Sequence, residues 1–230
     1  MKIKKKMTLL IAQNLTLRKI YNLKYSCLHF FGSHSQHRED IVIDKLLGNK
    51  KNGFYVDIGA NNPTGFNNTK RFYEKGWSGI NIEPNVRGYK LFLKERKRDI
   101  NLNIGIGEKE DTITFYEMEP DMLSTFSKKE AIENQKNGYK LVKERKVKIL
   151  PLKNVLEKYA KGKEIDFFSI DTEGFDLEVL KSNDWKKFKP KIICVEIMQN
   201  NRGKKIESFL KKIGFEKVHQ NNTNTIYKLK

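Results

Sequence analysis

The chain has 230 residues, of which 38% are hydrophobic, so it suits one domain with a full hydrophobic core. Its 46 Lys and Arg outnumber its 28 Asp and Glu, and the net charge of +18 favours polyanionic partners: nucleic acid, an anionic membrane face, or acidic sugars. The two cysteines, Cys27 and Cys194, exclude a disulfide scaffold, and a reducing cytoplasm is the default location.

The charge is compatible with a second interpretation. Lysines are spread throughout the chain, so a lysine-rich composition on a solvated surface explains the charge as well as a polyanionic partner does. No aromatic-basic nucleic-acid motif stands out. No segment is long enough to span a membrane, and the basic start MKIKKKMTLLIAQ lacks a nearby small-residue cleavage site, which argues against a signal peptide.

Residues 1–32 have the pattern of a basic, partly amphipathic helical extension, which either packs on the core or lies on the inner face of an anionic membrane. Residues 33–230 then form one catalytic domain. Its predicted helices are 41–47, 67–74, 89–96, 151–159, 175–181 and 201–213. Its predicted strands are 53–58, 79–82, 100–104, 112–116, 147–150, 165–170, 191–197, 215–219 and 225–229.

Strands that alternate with helices predict an α/β fold with a mainly parallel, doubly wound sheet. The last two strands form a hairpin around Asn221-Asn222, which adds an antiparallel strand to that sheet. The segment 117–146 is predicted to be irregular and polar, as an inserted lid. Cys194 lies in an apolar strand and is expected in the core.

The sequence FYVDIGANNPTG at 54–65 runs from an apolar strand into a turn at Gly59. Glu83 closes the next strand 24 residues later, and an acid at about this spacing holds ribose hydroxyls in nucleoside-binding α/β folds. The turn lacks the second and third glycines of a dinucleotide site, and Pro63 removes a donor that a pyrophosphate would use. S-adenosylmethionine, with one ribose and no phosphate, fits better, and Asp57 could attract its ammonium group. A strand and turn without a ligand is the alternative.

Acids also follow two later strands, at Asp171 and Glu173 and at Glu196. Ligands bind at the carboxyl ends of strands in open α/β sheets. Asp171 is the first candidate for a base that takes a proton from a hydroxyl acceptor, and Glu173 is the second. Alternatively, Asp171, Glu173 and Glu196 hold a divalent cation, Mg²⁺ or Mn²⁺, through oxygen ligands. Helix capping and structural hydrogen bonding is the third interpretation.

Over residues 35–197 the chain resembles the FkbM-type family of S-adenosylmethionine-dependent methyltransferases. The segments that carry the resemblance are SQHRED at 35–40, VDIGANNPTG at 56–65, INIEPN at 80–85, NLNIGIG at 101–107, LSTF at 123–126 and IDFFSIDTEGFDLEVL at 165–180. The last is the most specific, with Ser169 where lysine is common and Asp176 where glutamate is common.

The resemblance implies a Rossmann-like class I methyltransferase fold. It also implies that the methionine moiety lies beside Asp57 and Gly59, the ribose on Glu83 and the adenine near 103–106, with Gln36 and Asp40 closing over the cofactor. The cofactor-binding residues expected on this basis are Gln36, Asp40, Asp57, Gly59, Ala60, Asn61, Glu83, Pro84, Asn103, Gly105 and Ile106.

Family members often methylate hydroxyls of sugars, so the expected activity is O-methylation of a sugar in a surface glycan or its precursor. Tyr139 and nearby lysines of the lid could select an acidic or nucleotide-linked acceptor. An RNA ribose methyltransferase is an alternative. Asp171-Thr172-Glu173-Gly174 replaces the aromatic motif of base-methylating enzymes, which disfavours methylation of a base nitrogen but leaves ribose methylation open. Nucleic acid is therefore the less expected partner. A non-catalytic nucleoside-binding or membrane-docked scaffold is the other alternative.

Overall fold

The computed structural model describes residues 32–196 and 201–230. The predicted helical extension over 1–32 therefore lies outside the described residues, except for Gly32. The helices are α1 Glu39–Leu46, α2 Lys70–Glu74, α3 Val86–Glu95, α4 Lys128–Lys136, α5 Leu152–Tyr159, α6 Asp176–Lys181 and α7 Asn201–Lys212. The strands are β1 Phe54–Ile58, β2 Ser78–Ile82, β3 Ile100–Leu102, β4 Gly105–Ile106, β5 Asp111–Glu119, β6 Lys140–Leu150, β7 Phe167–Ile170, β8 Ile192–Glu196, β9 Phe215–Gln220 and β10 Asn224–Leu229.

A seven-stranded sheet in the order β3-β2-β1-β7-β8-β10-β9 forms the centre of the domain. Strands β3, β2, β1, β7 and β8 pair in parallel, whereas β10 pairs antiparallel to both β8 and β9. The mainly parallel sheet and the C-terminal hairpin predicted from the sequence are thus confirmed. Because β1 and β7 are central, their carboxyl ends meet in the middle of one sheet edge.

Helices cover the sheet on both faces, as a doubly wound fold requires. Helices α5, α6 and α7 pack on one face through Leu156, Leu180 and Ile206, against strand residues such as Val56. Helices α1 and α2 pack on the other face through Ile43 and Phe72. Every residue of β1 is buried, since side chains on both of its faces meet a layer of helices. Cys194 is buried in the second core, as expected.

A three-stranded sheet in the order β4-β6-β5 stands beside the main one. Its long β5–β6 hairpin encloses a 3₁₀ helix, Asp121–Leu123, and α4. The prediction of irregular structure over 117–146 was therefore wrong. Met118, Leu123, Ala131 and Tyr139 form a separate small core inside this segment, which we call the hairpin cap (residues 117–146).

Helix α3 begins three residues earlier than predicted. It starts at Val86, with Gly88 inside its first turn, and the Asn85 side chain caps it by accepting a hydrogen bond from the Arg87 amide at 2.9 Å. Such a cap stabilises a helix end by about 1 kcal/mol, which is comparable to the cost of one interior glycine. Among residues 32–196 and 201–230, no helix combines the length and apolar character needed to cross a lipid bilayer.

Candidate active site

The candidate site lies at the carboxyl edge of the parallel strands. Strands β1, β2, β7 and β8 end at Ile58, Ile82, Ile170 and Glu196. The segments that follow the first three strands carry most of the residues singled out in the sequence. Their proximity is direct, since the amide of Gly59 donates to the carbonyl of Ile82 at 2.9 Å. The amide of Asp171 likewise donates to the carbonyl of Ile58 at 3.0 Å, so the topology brings together residues more than a hundred positions apart in the chain.

Glu83 is a buried carboxylate held by two backbone amides. Its Oε2 accepts from the Asn61 amide and its Oε1 from the Asn85 amide, each at 2.6 Å. Burial raises the pKa of Glu83 to about 7, and the carboxylates of Asp57 and Asp121 add to this. Each carboxylate oxygen can accept one hydrogen bond more, so Glu83 has room for two hydroxyl donors. Adjacent hydroxyls of a ribose are donors of this kind.

The turn after β1 requires glycine. Gly59 has a φ of 78°, and a Cβ built on it would lie 1.8 Å from the carbonyl oxygen of Asp171. The amides of Gly59 and Ala60 both donate to the carbonyl of Ile82, at 2.9 and 3.2 Å. Asn61 follows with a φ of 52°. The backbone therefore turns in close contact with β2 and β7.

Asp57 lies beneath this turn and is 3% exposed. Its Oδ2 accepts from Asn67 Nδ2 at 3.1 Å and from Thr69 Oγ1 at 2.9 Å. Burial raises the pKa of Asp57, which these hydrogen bonds and the charge of Arg96 partly offset. One oxygen is thus committed to the loop below the turn, and a contact between Asp57 and the cofactor remains a prediction.

Arg96 supports the turn and is fully buried. Its Nε donates to the carbonyl of Pro63 at 2.9 Å, and its Nη2 donates to Asn67 Oδ1 at 2.7 Å. The sequence reasoning missed Arg96, Asn67 and Thr69. Nothing in the local pattern distinguishes a buried arginine from the surface cations of this chain.

The predicted adenine side of the site is held by Asn103. Its Nδ2 donates to the carbonyls of Glu83 and Pro84, at 2.8 and 2.9 Å, and so joins the segments after β2 and β3. Ile106 packs in the main core, and Gly105 lies against the side chains of Ile149 and Phe126. A contact of Gly105 or Ile106 with the cofactor would therefore use the backbone.

The turn before α1 is built around Asp40, which is fully buried. Its carboxylate accepts from the hydroxyls of Ser33 and Ser35 and from the amide of His34, at 2.7 to 2.8 Å. The turn touches the site, because the carbonyl of His34 accepts from the Asn67 amide at 3.0 Å. Asp40 thus shapes this turn, in which Gln36 is half-buried. Closure of either residue over a cofactor stays a prediction.

Three carboxylates meet at the end of β7 and β8. Ligand oxygens of Asp171, Glu173 and Glu196 all lie within 4.8 Å of one another. Asp171 as a whole residue is exposed, yet protein surrounds much of its carboxyl group. This desolvation raises the pKa of Asp171 to about 7, with further contributions from the charges of Asp176 and Asp57.

The backbone around these acids is tightly turned. Glu173 and Gly174 have φ values of 48° and 102°. Asp176 accepts from both the amide and the hydroxyl of Thr172 at 2.9 Å. Asp176 is the first residue of α6, where an acid favours the positive end of the helix dipole. The structure gives it a further part, since it fixes the turn that presents Asp171 and Glu173.

The hairpin cap forms a wall of the site. Thr125 Oγ1 donates to the carbonyl of Glu173 at 2.9 Å, and the rings of Phe126 and Phe175 are 5.9 Å apart. On the other side, Arg87 of α3 pairs with Asp121 at 3.4 Å. The cap therefore extends from the Glu83 side of the edge to the Asp171 side. Tyr139 is 4% exposed inside the cap, so its predicted contact with an acceptor is wrong.

The model of the methyltransferase FkbM domain matches residues 57–217. The curated proteins contain no match to this sequence. Among solved structures, a protein from Pyrococcus horikoshii described as an RNA methyltransferase is 9% identical, with 83% of this chain and 82% of that chain covered and a TM-score of 0.41. The precorrin-6y C5,15-methyltransferase from Geobacter metallireducens GS-15 is 13% identical, with 84% and 86% covered and a TM-score of 0.42. At these values the family match, and not the structural likeness, carries the assignment.

Proposed function

Since the chain belongs to the FkbM methyltransferase domain family, we propose that it transfers the methyl group of S-adenosylmethionine to a hydroxyl of a sugar, in a surface glycan or its precursor. The observation that supports this most is the placement of a ribose-type acid, Glu83, and a candidate base, Asp171, on one sheet edge. Desolvation by the surrounding protein raises the pKa of both to about 7, although Glu83 is buried and Asp171 is exposed. Perturbed carboxylates that share a cleft are typical of functional sites.

The residues present fit the cofactor. Glu83 offers two acceptor positions for ribose hydroxyls, and the Gly59 turn leaves no room for a side chain between its backbone and Asp171. Asp57 supplies a negative charge below the turn, near the place expected for an ammonium group. The bound cofactor would supply an activated methyl group. The chain then has to hold an acceptor oxygen in line with that methyl.

Asp171 is the proposed base. A carboxylate within hydrogen-bond reach of the acceptor hydroxyl can take its proton as the new bond forms, which contributes about 10²- to 10⁴-fold to the rate. A pKa near 7 keeps much of Asp171 ionised at neutral pH while making it a stronger base than an ordinary aspartate. Glu173 lies beside it and is the second candidate.

A divalent cation held by the same acids is the alternative to Asp171 as the base. Hard cations such as Mg²⁺ and Mn²⁺ take carboxylate oxygens, and the spacing of Asp171, Glu173 and Glu196 is compatible with a shared ion. Such an ion would lower the pKa of an acceptor hydroxyl. Removal of metal by EDTA should then abolish methyl transfer, and added Mn²⁺ or Mg²⁺ should restore it.

The acceptor is proposed to enter between the acid turn and the hairpin cap. The cap touches Glu173 through Thr125, so an acceptor hydroxyl that reaches Asp171 would lie against the cap. We therefore place acceptor selection in this wall, with exposed lysines such as Lys128 available to an acidic or nucleotide-linked sugar.

RNA ribose methylation is a second candidate, and the net charge of +18 is what favours it. The test is transfer of labelled methyl groups from S-adenosylmethionine to nucleotide-linked sugars, free glycans and RNA, with Asp171→Asn as the blank. The proposal predicts labelled sugar that depends on Asp171. Label in RNA but in no sugar would support the second candidate instead. Cofactor binding without transfer to any acceptor would favour the non-catalytic alternative.

A further inference from the structure

The sheet edge opposite the candidate site is rich in lysine. The amino end of β8 and the carboxyl end of β10 meet there, as Lys228 pairs in register with Ile192. The loops that lead into β1 and β8 and the end of α1 reach the same edge. Exposed lysines on these segments are Lys45, Lys51, Lys189, Lys191, Lys228 and Lys230.

Two of the acids at this edge, Asp44 and Asp166, are buried. Asp44 is buried against Arg71 and Lys75, and Asp166 is buried against Lys50 at 2.7 Å. Among the described residues, Glu164 and Glu216 are exposed near these lysines. Glu164 pairs with Lys191 at 2.8 Å, and Glu216 lies opposite Lys228 in the sheet. The surface that a partner would meet is therefore positive.

A groove of about 260 Å³ opens among these lysines. Leu46, Leu47, Ile192 and Leu229 line it with apolar side chains, and Lys191, Lys228 and Lys230 complete the lining. The combination is amphipathic: an apolar floor beside amino groups. A phosphate-bearing molecule with an apolar tail matches both parts, since phosphates pair with ammonium groups and the tail contacts leucine.

We propose that this edge docks on an anionic lipid bilayer, with lipid phosphates on the lysines and the apolar part of one lipid in the groove. Each lysine near an anionic leaflet adds about 1 kcal/mol to the attraction between the protein and the membrane. Nucleic acid fits less well, because single strands are usually bound by stacking on aromatic side chains. In the described part of the chain, none of the exposed large hydrophobic side chains is aromatic.

Docking through this edge turns the candidate active site away from the membrane. The site occupies the carboxyl ends of the same strands, so the sheet itself separates the two surfaces. Vesicle binding and methyl transfer to a soluble acceptor should then be independent. Membrane docking and the proposed methyl transfer use different surfaces, so either can occur without the other.

The test is binding of the full chain to vesicles of phosphatidylglycerol and phosphatidylcholine, measured by co-sedimentation. A variant with Lys45→Gln, Lys228→Gln and Lys230→Gln should bind phosphatidylglycerol vesicles about 100-fold more weakly. Lys191 is kept, because it pairs with buried Asp166. The matched control carries Lys109→Gln, Lys204→Gln and Lys205→Gln, which are exposed away from this edge, and should bind within about threefold of wild type.

A charge-conserving variant tests the groove. Leu47→Gln should weaken vesicle binding by about threefold or more, since it removes apolar area from the floor. All forms retain residues 1–31, so the contribution of that basic segment to vesicle binding cancels when their affinities are compared. Thermal unfolding checks that each variant is folded. Equal weakening in the two lysine variants, or no binding to phosphatidylglycerol vesicles, would overturn the proposal. So would lysine-dependent binding of an RNA oligonucleotide without vesicle binding.

Discussion

Asp171 is the residue whose removal should affect chemistry most and cofactor binding least. Asp171→Asn keeps the shape of the side chain but cannot take a proton, so kcat should fall by about 10²- to 10⁴-fold. The wild-type rate should rise with pH through about 7 and then level off, because the ionised form of Asp171 is the active one. The variant should lose this dependence.

The measurement is a pH–rate profile of methyl transfer under saturating substrates, together with calorimetric binding of the cofactor. Asp111→Asn, at an exposed acid that begins β5, is the control and should keep the wild-type profile. An unchanged profile in Asp171→Asn would assign the proton transfer to another group, with Glu173 the next to test.

The raised pKa of Glu83 predicts how the stability of the cofactor-free protein depends on pH. Burial raises its pKa from 4.5 to about 7, so folding disfavours its ionised form. The stability contributed by this group is complete below about pH 4.5 and is lost as the pH rises through 7. Between pH 4.5 and 8, the unfolding free energy of the wild type should fall by up to about 3 kcal/mol more than that of Glu83→Gln, because glutamine does not titrate. Urea unfolding at the two pH values measures this, and parallel pH dependences would contradict it.

Not every site residue could be predicted from the sequence. Glu83 and Asp171 stand directly after short apolar runs, so their place at the strand ends follows from local pattern. Arg96 and Asn67 contribute through contacts made after the chain has folded, and their neighbours in sequence do not reveal this. Support residues of this kind are visible only in three dimensions.

At the scale of elements, Gly88 explains how closely α3 approaches the site. A Cβ on Gly88 would lie 2.5 Å from the Asn61 carbonyl oxygen and 3.0 Å from Cγ of Glu83. In an ordinary helix interior, Gly→Ala stabilises by about 0.5–1 kcal/mol. Here Gly88→Ala should instead destabilise by about 1–3 kcal/mol, as overpacking does, and weaken cofactor binding.

Lys90→Ala, on an exposed position of the same helix, is the matched control and should change neither property. Thermal unfolding and calorimetry give the two readouts. If Gly88→Ala behaved like an ordinary helix substitution and stabilised the protein, the close packing of α3 on Glu83 would be refuted.

The elements divide into those that the sequence predicts and one segment that it does not. Runs such as 54–58 and 192–196 are continuous and apolar, so their strand character is local. The hairpin cap places Met118, Leu123 and Tyr139 among many charged residues, and its order comes from β5–β6 pairing across about twenty intervening residues. Sequence patterns are strongest where the contacts are local, which is why this segment was mistaken for an irregular one.

At the scale of the whole molecule, charge is separated between the two edges of one sheet. Glu83, Asp171 and Glu173 lie together at the carboxyl edge, whereas the amino edge carries six exposed lysines, Lys45, Lys51, Lys189, Lys191, Lys228 and Lys230. The net charge of +18 therefore does not give the local charge of either edge of the sheet. An acidic site on a basic protein explains why composition alone could not decide between a polyanionic partner and a lysine-rich solvated surface.

The central claim is that this sheet edge binds S-adenosylmethionine through Glu83. The most direct test is calorimetric binding of S-adenosylmethionine to wild type, Glu83→Gln and the exposed control Glu110→Gln. We expect saturable binding to wild type and to the control. Binding to folded Glu83→Gln should be at least about tenfold weaker, because hydrogen bonds from two hydroxyls to a charged group are lost. Absence of binding to folded wild type, or equal affinity in Glu83→Gln, would contradict the account.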